Sequence, residues 1–414
     1  WSAEWLFNRE IEKVEMQRVN SCSRCIMSVA ETFIEEDGFG YTMTNKHKAS
    51  VQLISWGAGI QAIKVPNQSG ILGDVVLGFD DMEGYLKNRY IGSIIGRVVN
   101  RISCAKMRIE NKIYCISPND ANGVDHINGG FVGFDNLSVF IPILLMQQVM
   151  SHVSPAKCEG YPGDMLTQIK YSWTDDNQLL INIRATATQP TPVNIASNCF
   201  MNLAGHAAGS RELKKHLISL NADSWIPADI RNNLPTDAIY PVDRTVFDLR
   251  LPTQLTKRRL YIVPGGGYNQ NLCMLYINSR LLSINVPSFC SLFSQRIIHP
   301  GSGRTLEVYS NHPGLQFSTG NDLPDPDCNY PPDFEDYCDC TDNEPKVKDQ
   351  QKEIWGKDGV RYQRHGGFIL SPQNYPDAVN ISNFPSCILY PGQVYAHDVT
   401  YKFGLLSENL DTST

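Results

Sequence analysis

Residues 179–187 read LLINIRATA, a stretch in which apolar and polar side chains alternate. In an extended chain successive side chains point to opposite faces, so Ile181 and Ile183 share one face while Asn182 and Arg184 share the other. Helical periodicity is convincing nowhere, and only Arg9–Val19 is a candidate helix. The alternation recurs a short turn apart, which predicts an all-β fold, an antiparallel sandwich or barrel. The other alternating segments are Gln168–Trp173, Leu282–Val286 and Arg304–Tyr309.

The composition agrees with this fold class and excludes two kinds of function. The chain has 414 residues, of which 42% are hydrophobic and 19% charged, as is typical of a globular protein. Lys and Arg number 36 against 43 Asp and Glu, a net charge of −7, whereas a nucleic-acid-binding protein needs a basic surface. The longest apolar run, residues 139–146, is interrupted by Pro142 and is too short to cross a bilayer. We therefore expect no nucleic-acid partner and no membrane span.

Three features of the sequence favour the secretory pathway. The chain begins at Trp1, which we interpret as the start of a mature chain whose leader has been removed. Sequons for N-glycosylation begin at Asn67, Asn136 and Asn380. The twelve cysteines are an even number, as in disulfide-bonded proteins, although their spacing leaves the pairing open and also allows buried thiols. We expect a secreted glycoprotein with mostly paired cysteines.

Two segments depart from the alternating pattern. Residues 1–47 are charged and are assigned to an N-terminal extension. Residues 322–365 are assigned to an insertion, which carries nine acidic residues before its first Lys. Carboxylates beside Asn residues and backbone carbonyls can bind Ca²⁺, but EF-hand spacing is lacking, and a solvated loop held by cysteines is the interpretation we favour. We expect no metal and no cofactor.

Ten blocks of the sequence occur in an order and at spacings that resemble one known family. They are ISWGAGIQAIKVP (54–66), DVVLGFDDMEGYL (74–86), IGRVVNRI (95–102), INGGFVGFD (127–135), EGYPGDM (159–165), TPVNIASNCFMNLAG (191–205), TVFDLR (245–250), GYNQNLC (267–273), LEVYSNHPGLQFSTGN (306–321) and PQNYPDAVNISNFPSCILYPGQVY (372–395). Together they resemble the aldose 1-epimerase (galactose mutarotase) family over residues 48–404, which leaves 405–414 as a C-terminal tail. The resemblance implies the family's fold, a large antiparallel β-supersandwich with a sugar site in an open groove.

The resemblance also implies a site, and this chain departs from the family at each proton-transfer position. The family opens and recloses a sugar ring with a Glu base and a His acid, while a second His, an Asp and an Arg hold sugar hydroxyls. By the matching motifs, Asn198 replaces the acid and Ser371 replaces the base. Asn128 and Asn269 replace the second His and the Asp, and Arg97 in GRVVNRI is kept.

These replacements predict a catalytically incompetent site. An amide has no proton that titrates near neutral pH, so Asn198 cannot act as a general acid. A serine hydroxyl without a partner base is a poor proton acceptor, so Ser371 cannot replace a carboxylate. Loss of such a group typically costs about 10²–10⁴-fold in rate. A relocated acid remains conceivable at His126, His206 or His312.

Binding of a sugar does not need proton transfer, because amides still donate and accept hydrogen bonds. His312 stands where the family often has a polar Gln near the sugar, and Tyr375 offers an aromatic face to a pyranose ring. Asp135 and Asp377 are assigned to turns or scaffold. The predicted substrate-binding residues are Arg97, Asn128, Asn198, Asn269, His312 and Tyr375.

Three functional hypotheses follow. The first is a secreted aldose 1-epimerase-like pseudoenzyme that binds carbohydrate or acts as a structural or interaction protein. The second is an active extracellular mutarotase with a rearranged site. The third is an assembly protein in which the acidic insertion binds a partner. We predict that this insertion forms a flap beside the groove and favours basic partners. Asn380 is the least favoured glycosylation site, since PDAVN resembles a buried turn of the family.

Overall fold

The computed structural model describes residues 40–137, 143–144 (backbone only), 147–229, 233–274, 295–325 and 353–406. The first strands are β1 (Tyr41–Thr44), β2 (Ser50–Leu53), β3 (Ile60–Pro66), β4 (Leu72–Asp74), β5 (Ile94–Ile95), β6 (Arg101–Ile102), β7 (Lys106–Ile109), β8 (Lys112–Cys115), β9 (His126–Ile127), β10 (Ile143–Leu144), β11 (Gln147–Ser154), β12 (Met165–Trp173), β13 (Gln178–Ala187), β14 (Thr191–Pro192) and β15 (Ala196–Ser197). The later strands are β16 (Phe200–Met201), β17 (Leu217–Ser219), β18 (Ala222–Ile226), β19 (Tyr240–Pro241), β20 (Thr253–Gln254), β21 (Asn269–Met274), β22 (Gln295–Ile298), β23 (Arg304–Ser310), β24 (Gly314–Ser318), β25 (Ile354–Trp355), β26 (Arg361–Tyr362), β27 (Phe368–Gln373), β28 (Ile388–Leu389) and β29 (Tyr395–Leu405).

Helices are short and few in the part of the chain that the structure describes. Asp81 and Thr256 cap the first and third α-helices by accepting backbone N–H groups through their side chains. The α-helices are α1 (Met82–Lys87), α2 (Gly209–Leu213) and α3 (Lys257–Ile262). The 3₁₀ segments are Ser103–Ala105, Phe134–Asn136, Cys158–Gly160 and Lys357–Gly359. Within the described ranges no helix has the length and apolar character that crossing a membrane requires.

Two antiparallel sheets dominate the fold. One has nine strands in the order β10-β11-β12-β13-β29-β23-β22-β17-β20, and the other has six in the order β16-β27-β24-β21-β18-β19. A four-stranded sheet, β1 to β4, adds to them. Neighbouring strands in these sheets run antiparallel, which confirms the predicted all-β antiparallel fold.

The predicted alternation is confirmed in β12, β13 and β23. In β13, Leu179, Ile181 and Ile183 are fully buried, whereas the residues between them are half-exposed. Their side chains pack into one large core that also holds Phe317 of β24 and Phe368 of β27. The core therefore takes one face of each large sheet, and on the opposite face of β27 Ile369 packs into a second apolar cluster.

Several predictions fall outside the described residues. These are the candidate helix at Arg9–Val19, the strand at Leu282–Val286 and the acidic residues of 326–352. The N-terminal boundary differs from the predicted one, because Tyr41–Thr44 pairs with β2 as part of the four-stranded sheet. The domain therefore begins before residue 48.

The described part of the chain holds six cysteines, and five of them are free thiols, in contrast to the expected disulfides: Cys104, Cys115, Cys199, Cys273 and Cys387. Cys104 and Cys115 are exposed, and the other four are buried. Burial raises the pKa of Cys199 to about 12 and that of Cys273 to about 11. Buried thiols of this kind behave as small apolar side chains.

Candidate functional site

The outer face of the six-stranded sheet carries a row of polar side chains. In the register of this sheet, Gln316 of β24 lies opposite Asn271 of β21 on one side and Ser371 of β27 on the other. Directly paired residues of an antiparallel sheet point to the same face. The residues on either side of Gln316, Leu315 and Phe317, point the other way into the core. The sheet thus presents an amide and a hydroxyl side by side.

Four amide residues at this row are linked to one another by side-chain and backbone hydrogen bonds. The Asn100 amide Nδ2 donates to Gln316 Oε1 over 3.2 Å, and Gln316 Nε2 donates to Asn269 Oδ1 over 2.9 Å. The backbone N–H of Asn100 donates to Asn128 Oδ1 over 2.8 Å, and the Asn128 N–H donates to the Asn100 carbonyl over 2.9 Å. We call Asn100, Asn128, Asn269 and Gln316 the amide cluster. It brings together two of the predicted site residues, with Ser371 beside them.

The loop that presents Asn128 is fixed by its backbone. Asn128 has a φ of +51°, a left-handed conformation that Asn tolerates better than most residues. Gly129 follows with a φ of +86°, and a Cβ there would lie 1.8 Å from the carbonyl oxygen of Gly96. Only glycine fits at this close approach.

The buried carboxylate of Asp135 and two half-buried charged residues hold the same loop in place. Arg89 Nε donates to Asp135 Oδ2 over 2.9 Å, and Arg89 Nη2 donates to the Gly130 carbonyl over 3.2 Å. Burial raises the pKa of Asp135 even though Arg89 opposes this rise. Glu159 accepts the backbone N–H groups of Phe131 and Val132. The loop is therefore held in place, and Asp135 has the scaffold role predicted for it.

Asn198 lies in the turn between β15 and β16, where it is half-buried. Its Nδ2 donates to the Tyr90 carbonyl over 2.9 Å, next to Arg89. Its backbone N–H donates to the Ser93 carbonyl, also over 2.9 Å. These bonds fix the amide, so that its oxygen is the atom left to accept from a ligand.

Arg97 lies where no ligand can reach it, which differs from its predicted role. Its side chain is buried, with 1% of the residue exposed. The guanidinium donates to Ser154 Oγ, Thr191 Oγ1 and four backbone carbonyls at 2.9–3.3 Å. Those carbonyls belong to Ser154, Pro155, Pro162 and Gly163. We call this surrounding the Arg97 cage. A buried cation needs such partners, so its place in the motif reflects the fold.

His312 also lies inside the protein, away from its predicted place in the site. Its ring stacks on that of His397, with 3.8 Å between the centroids. Burial and the neighbouring His397 hold the pKa of His312 well below its usual value. It is therefore a neutral core residue at neutral pH.

The other two histidines considered as relocated acids have protein partners. His126 is fully buried, and its ring nitrogens lie 2.7 Å from the Ser117 carbonyl and 2.7 Å from the Tyr161 hydroxyl. Burial lowers its pKa. His206 lies 3.3 Å from Asp358 Oδ2 through Nε2 and 3.3 Å from the Tyr362 hydroxyl through Nδ1. Neither histidine is hydrogen-bonded to the amide cluster.

Tyr375 is half-buried and contacts the protein on both its ring and its hydroxyl. The ring packs edge-on against Phe384 with 5.2 Å between centroids. Burial, with the Cys273 thiol as a neighbour, raises the pKa of the hydroxyl. Its predicted use as an aromatic platform for a sugar gains no support from this placement.

The three sequons lie in different surroundings. Asn67 occupies the turn between β3 and β4, where its Oδ1 accepts the N–H groups of Ser69 and Ile71. Asn136 is half-buried in the 3₁₀ segment Phe134–Asn136. Asn380 Nδ2, the atom a glycan would occupy, already donates to Asp377 Oδ1 and to the Lys106 carbonyl. Asp377 is buried in this turn, in the scaffold role predicted for it.

Sequence reasoning missed four polar residues of this region. Gln316 and Asn100 complete the amide cluster. Asn271 is 4% exposed, and neither of its amide atoms has a hydrogen-bond partner among the described residues. Arg101, four residues after Arg97, pairs with Ile127 next to Asn128, and its buried Nε likewise lacks a partner in the described chain. The polar Gln between Leu315 and Phe317 was the signal that could have identified Gln316.

Both ends of the predicted insertion join this sheet. Leu323 packs with Phe200 and Ile369, and the Arg364 N–H donates to the Pro324 carbonyl over 2.8 Å. Arg364 also donates to the carbonyls of Gly265 and Gly266, just before Asn269. The acidic residues between these ends lie outside the described residues, so the flap stays a prediction. Among the side chains that the structure does describe, no group of three His, Cys, Asp or Glu residues is placed to hold a metal ion.

Comparisons with known proteins bear on this arrangement. The profile of the aldose 1-epimerase family matches residues 40–402. The galactose mutarotase of Bos taurus is 38% identical over 357 residues, covering 86% of this chain and 91% of its own. The aldose 1-epimerase of Escherichia coli is 26% identical over 366 residues, covering 87% of this chain and 94% of its own.

Solved structures show the same fold. A GalM/aldose epimerase homologue from C. elegans superposes with a TM-score of 0.72 at 24% identity, covering 89% of this chain and 99% of its own. Galactose 1-epimerase from Lactobacillus acidophilus gives a TM-score of 0.67 at 18% identity, over 90% and 97% of the two chains. The fold is thus that of the galactose mutarotase-like β-supersandwiches. The chain belongs to the aldose 1-epimerase family.

Proposed function

We propose that this chain binds a hexose at the amide cluster without catalysing its anomerisation. The observation that carries the proposal is the chemistry of the site. Asn198 and Ser371 occupy the positions that the family resemblance assigns to the acid and the base. Neither side chain exchanges a proton readily near neutral pH. The amide cluster supplies donors and acceptors for sugar hydroxyls, and these groups remain neutral at every physiological pH.

The placement of the histidines supports the absence of catalysis. His126 and His206 are held by protein partners, and His312 is buried in the core. Burial lowers the pKa of each of these three histidines. A general acid must lie within hydrogen-bond reach of the atom that it protonates. An active mutarotase with a rearranged site would need one of these side chains to leave its present partners.

Polarimetry tests the proposal directly. Freshly dissolved α-D-galactose or α-D-glucose should mutarotate at the buffer rate in the presence of the pure protein. Galactose mutarotase from Bos taurus, assayed under the same conditions, is the positive control. An acceleration that rises with protein concentration and is abolished by Asn198→Ala would establish the active alternative.

A reverse variant sharpens the same test. Asn198→His with Ser371→Glu reintroduces an acid and a base, and we expect the rate to rise at least about tenfold above the buffer rate. Asn198→Gln with Ser371→Thr is the matched control, because it changes size without adding a titratable group. Circular dichroism must show that both variants are folded. If the folded reverse variant shows no gain in mutarotation rate, positions other than Asn198 and Ser371 also disable the site.

Binding is measured separately, by calorimetry with D-galactose and D-glucose. Weak affinity that is reduced by Asn128→Ala or Asn269→Ala supports the proposal. The absence of affinity for any hexose contradicts it and favours an assembly role for the chain. In that case the acidic insertion becomes the surface to test, with a basic protein at several salt concentrations.

We also propose that the protein is secreted and glycosylated, with Asn67 as the main acceptor. Asn67 lies in a hairpin turn, whereas the Asn380 amide nitrogen is occupied by Asp377 and the Lys106 carbonyl. Five of the described cysteines are free thiols, so the sequons rather than disulfides carry this proposal. Expression in a secreting eukaryotic host should give a glycosidase-sensitive mobility shift that Asn67→Gln removes and Asn380→Gln leaves in place. Retention of an unglycosylated chain inside the cell would contradict it.

A further inference from the structure

The polar side chains around Ser371 share one chemical property. Each member of the amide cluster, like Ser371 itself, carries both a hydrogen-bond donor and an acceptor. A carboxylate differs from them, because an ionised carboxylate only accepts. An acceptor-only group selects ligands that present a hydroxyl, whereas a group that can also donate tolerates an ether oxygen.

The position of Ser371 allows its hydroxyl to meet either kind of ligand oxygen, a hydroxyl or an ether. It lies opposite Gln316 in the sheet, and Gln316 is fixed by bonds to Asn100 and Asn269. The Ser371 Oγ has no hydrogen-bond partner within the described ranges, and a serine hydroxyl rotates freely to donate or to accept. Ser371 is 3% exposed, and its side chain ends one atom beyond Cβ, so it is shorter than the carboxylate that the family has at this position.

We propose that the site binds O-glycosides, in which the anomeric oxygen is part of an ether, as well as free hexoses. This inference rests on the proposed function and on the family resemblance, by which Ser371 stands at the position of the base that acts on the anomeric hydroxyl. A glycosidic oxygen has no hydrogen to donate, so an acceptor-only group facing it would lose a hydrogen bond and gain repulsion. Ser371 donates to that oxygen instead. The ligand class is therefore the glycosidically linked end of a glycan, which a mutarotating enzyme could not use as a substrate.

Calorimetric titration of six ligands tests this inference on the full chain. The ligands are D-galactose, D-glucose and the methyl glycosides of each in both anomeric forms. We expect at least one methyl glycoside to bind within about threefold of its free sugar. If the free sugars bind and every methyl glycoside is at least about tenfold weaker, the inference is overturned while the proposed function stands. If no ligand binds, both are overturned.

Variants at Ser371 show whether its hydroxyl is the cause. Ser371→Asp introduces an acceptor-only group and should weaken the methyl glycoside at least about tenfold more than the free sugar. Ser371→Ala removes the donor without adding charge and should weaken both ligands by a similar, smaller factor. Thermal unfolding of each variant confirms that it is folded. An equal loss for both ligands in a folded Ser371→Asp variant would overturn the role of Ser371.

Discussion

Arg97 and Arg101 lie four residues apart in the same segment, yet their surroundings differ in kind. Arg97 is buried in a cage of two hydroxyls and four carbonyls, whereas Arg101 is half-buried, and its Nε has no partner in the described structure. The Arg97 cage is complete in itself, while the amide cluster near Arg101 retains groups that can still bind something. A residue kept within a family motif can therefore report on the fold rather than on the ligand. If this is so, changes at the Arg97 cage should affect stability, and changes at the amide cluster should affect sugar affinity.

The largest expected effect is on stability, at the cage. Arg97→Met would leave its six oxygen partners without their donor, and breaking a buried charged network typically costs about 3–5 kcal/mol. We expect a fall of this size in the free energy of unfolding, measured with denaturant. Arg101→Met is the matched control and should cost about 1 kcal/mol or less. Equal losses in the two variants would remove the distinction between the two arginines.

The second expected effect is on the pH dependence of stability, which a titrating core residue changes and the uncharged amide cluster does not. Burial lowers the pKa of His397 to about 4, from a usual value of 6.5. Between these two values the unfolded chain binds a proton that the folded chain does not, so stability is complete above pH 6.5 and is lost as the pH falls toward 4. The loss should reach about 3 kcal/mol from this residue alone. Denaturant unfolding at several pH values measures it.

A variant at His397 and the pH dependence of sugar affinity provide the controls for this prediction. His397→Gln keeps a donor for the Ile195 carbonyl but cannot titrate, so it should reduce the loss of stability between pH 6.5 and 4 by about the share of His397, while the other buried histidines keep theirs. Sugar affinity should stay constant over the same range wherever the protein remains folded, because amides and hydroxyls keep their charge state. A sugar affinity that changes tenfold between pH 5 and 7 in the folded protein, as a titrating site residue would cause, would contradict a neutral site.

A third expected effect concerns the cluster alone. Asn269→Ala removes one exposed amide that accepts from Gln316, and we expect about a 5- to 15-fold loss of sugar affinity, equivalent to roughly 1–1.5 kcal/mol. Stability should change by less than about 0.5 kcal/mol, since the residue is exposed. Gln168→Ala, an exposed amide on β12, is the control and should leave affinity unchanged. Equal affinities in the two variants would exclude Asn269 from the site.

The sequence alone predicts the sheets better than it predicts the site, for physical reasons. Alternation is local, so the strands at residues 168–173, 179–187 and 304–309 could be identified without knowing their partners. The site depends on register between strands distant in the chain. Gln316 meets Ser371 and Asn271 only because β24 lies between β27 and β21. No local pattern contains that information.

Burial explains the two predicted site residues that the structure places in the interior. Arg97 and His312 are polar residues within matched motifs, and polarity suggested exposure to a ligand. Both are buried. Arg97 donates hydrogen bonds to backbone carbonyls, and His312 stacks on His397. Asn128 and Asn269 were predicted by the same reasoning, and the structure places both in the amide cluster. The position of a residue in a motif shows that it is polar. Only the folded structure distinguishes the polar residues that face the core from those that face the surface.

The smallest expected effect lies beside the Arg97 cage, where the packing is not fully satisfied. Thr167 of β12 lies opposite His152 of β11, and it is 1% exposed. Thr167 Oγ1 and His152 Nε2 line a small cavity with Phe134 and Ile169, and neither atom has a hydrogen-bond partner in the described structure. A buried hydroxyl without a partner costs about 1–3 kcal/mol, and an apolar group of the same shape avoids that cost. Thr167→Val should therefore raise the free energy of unfolding by about 1 kcal/mol. Thr167→Ser, which keeps the hydroxyl and loses the methyl group, should lower it by a similar amount. If Thr167→Val is instead destabilising, the hydroxyl has a partner in solution, such as a buried water, and the region around the cage is as complete as the cage itself.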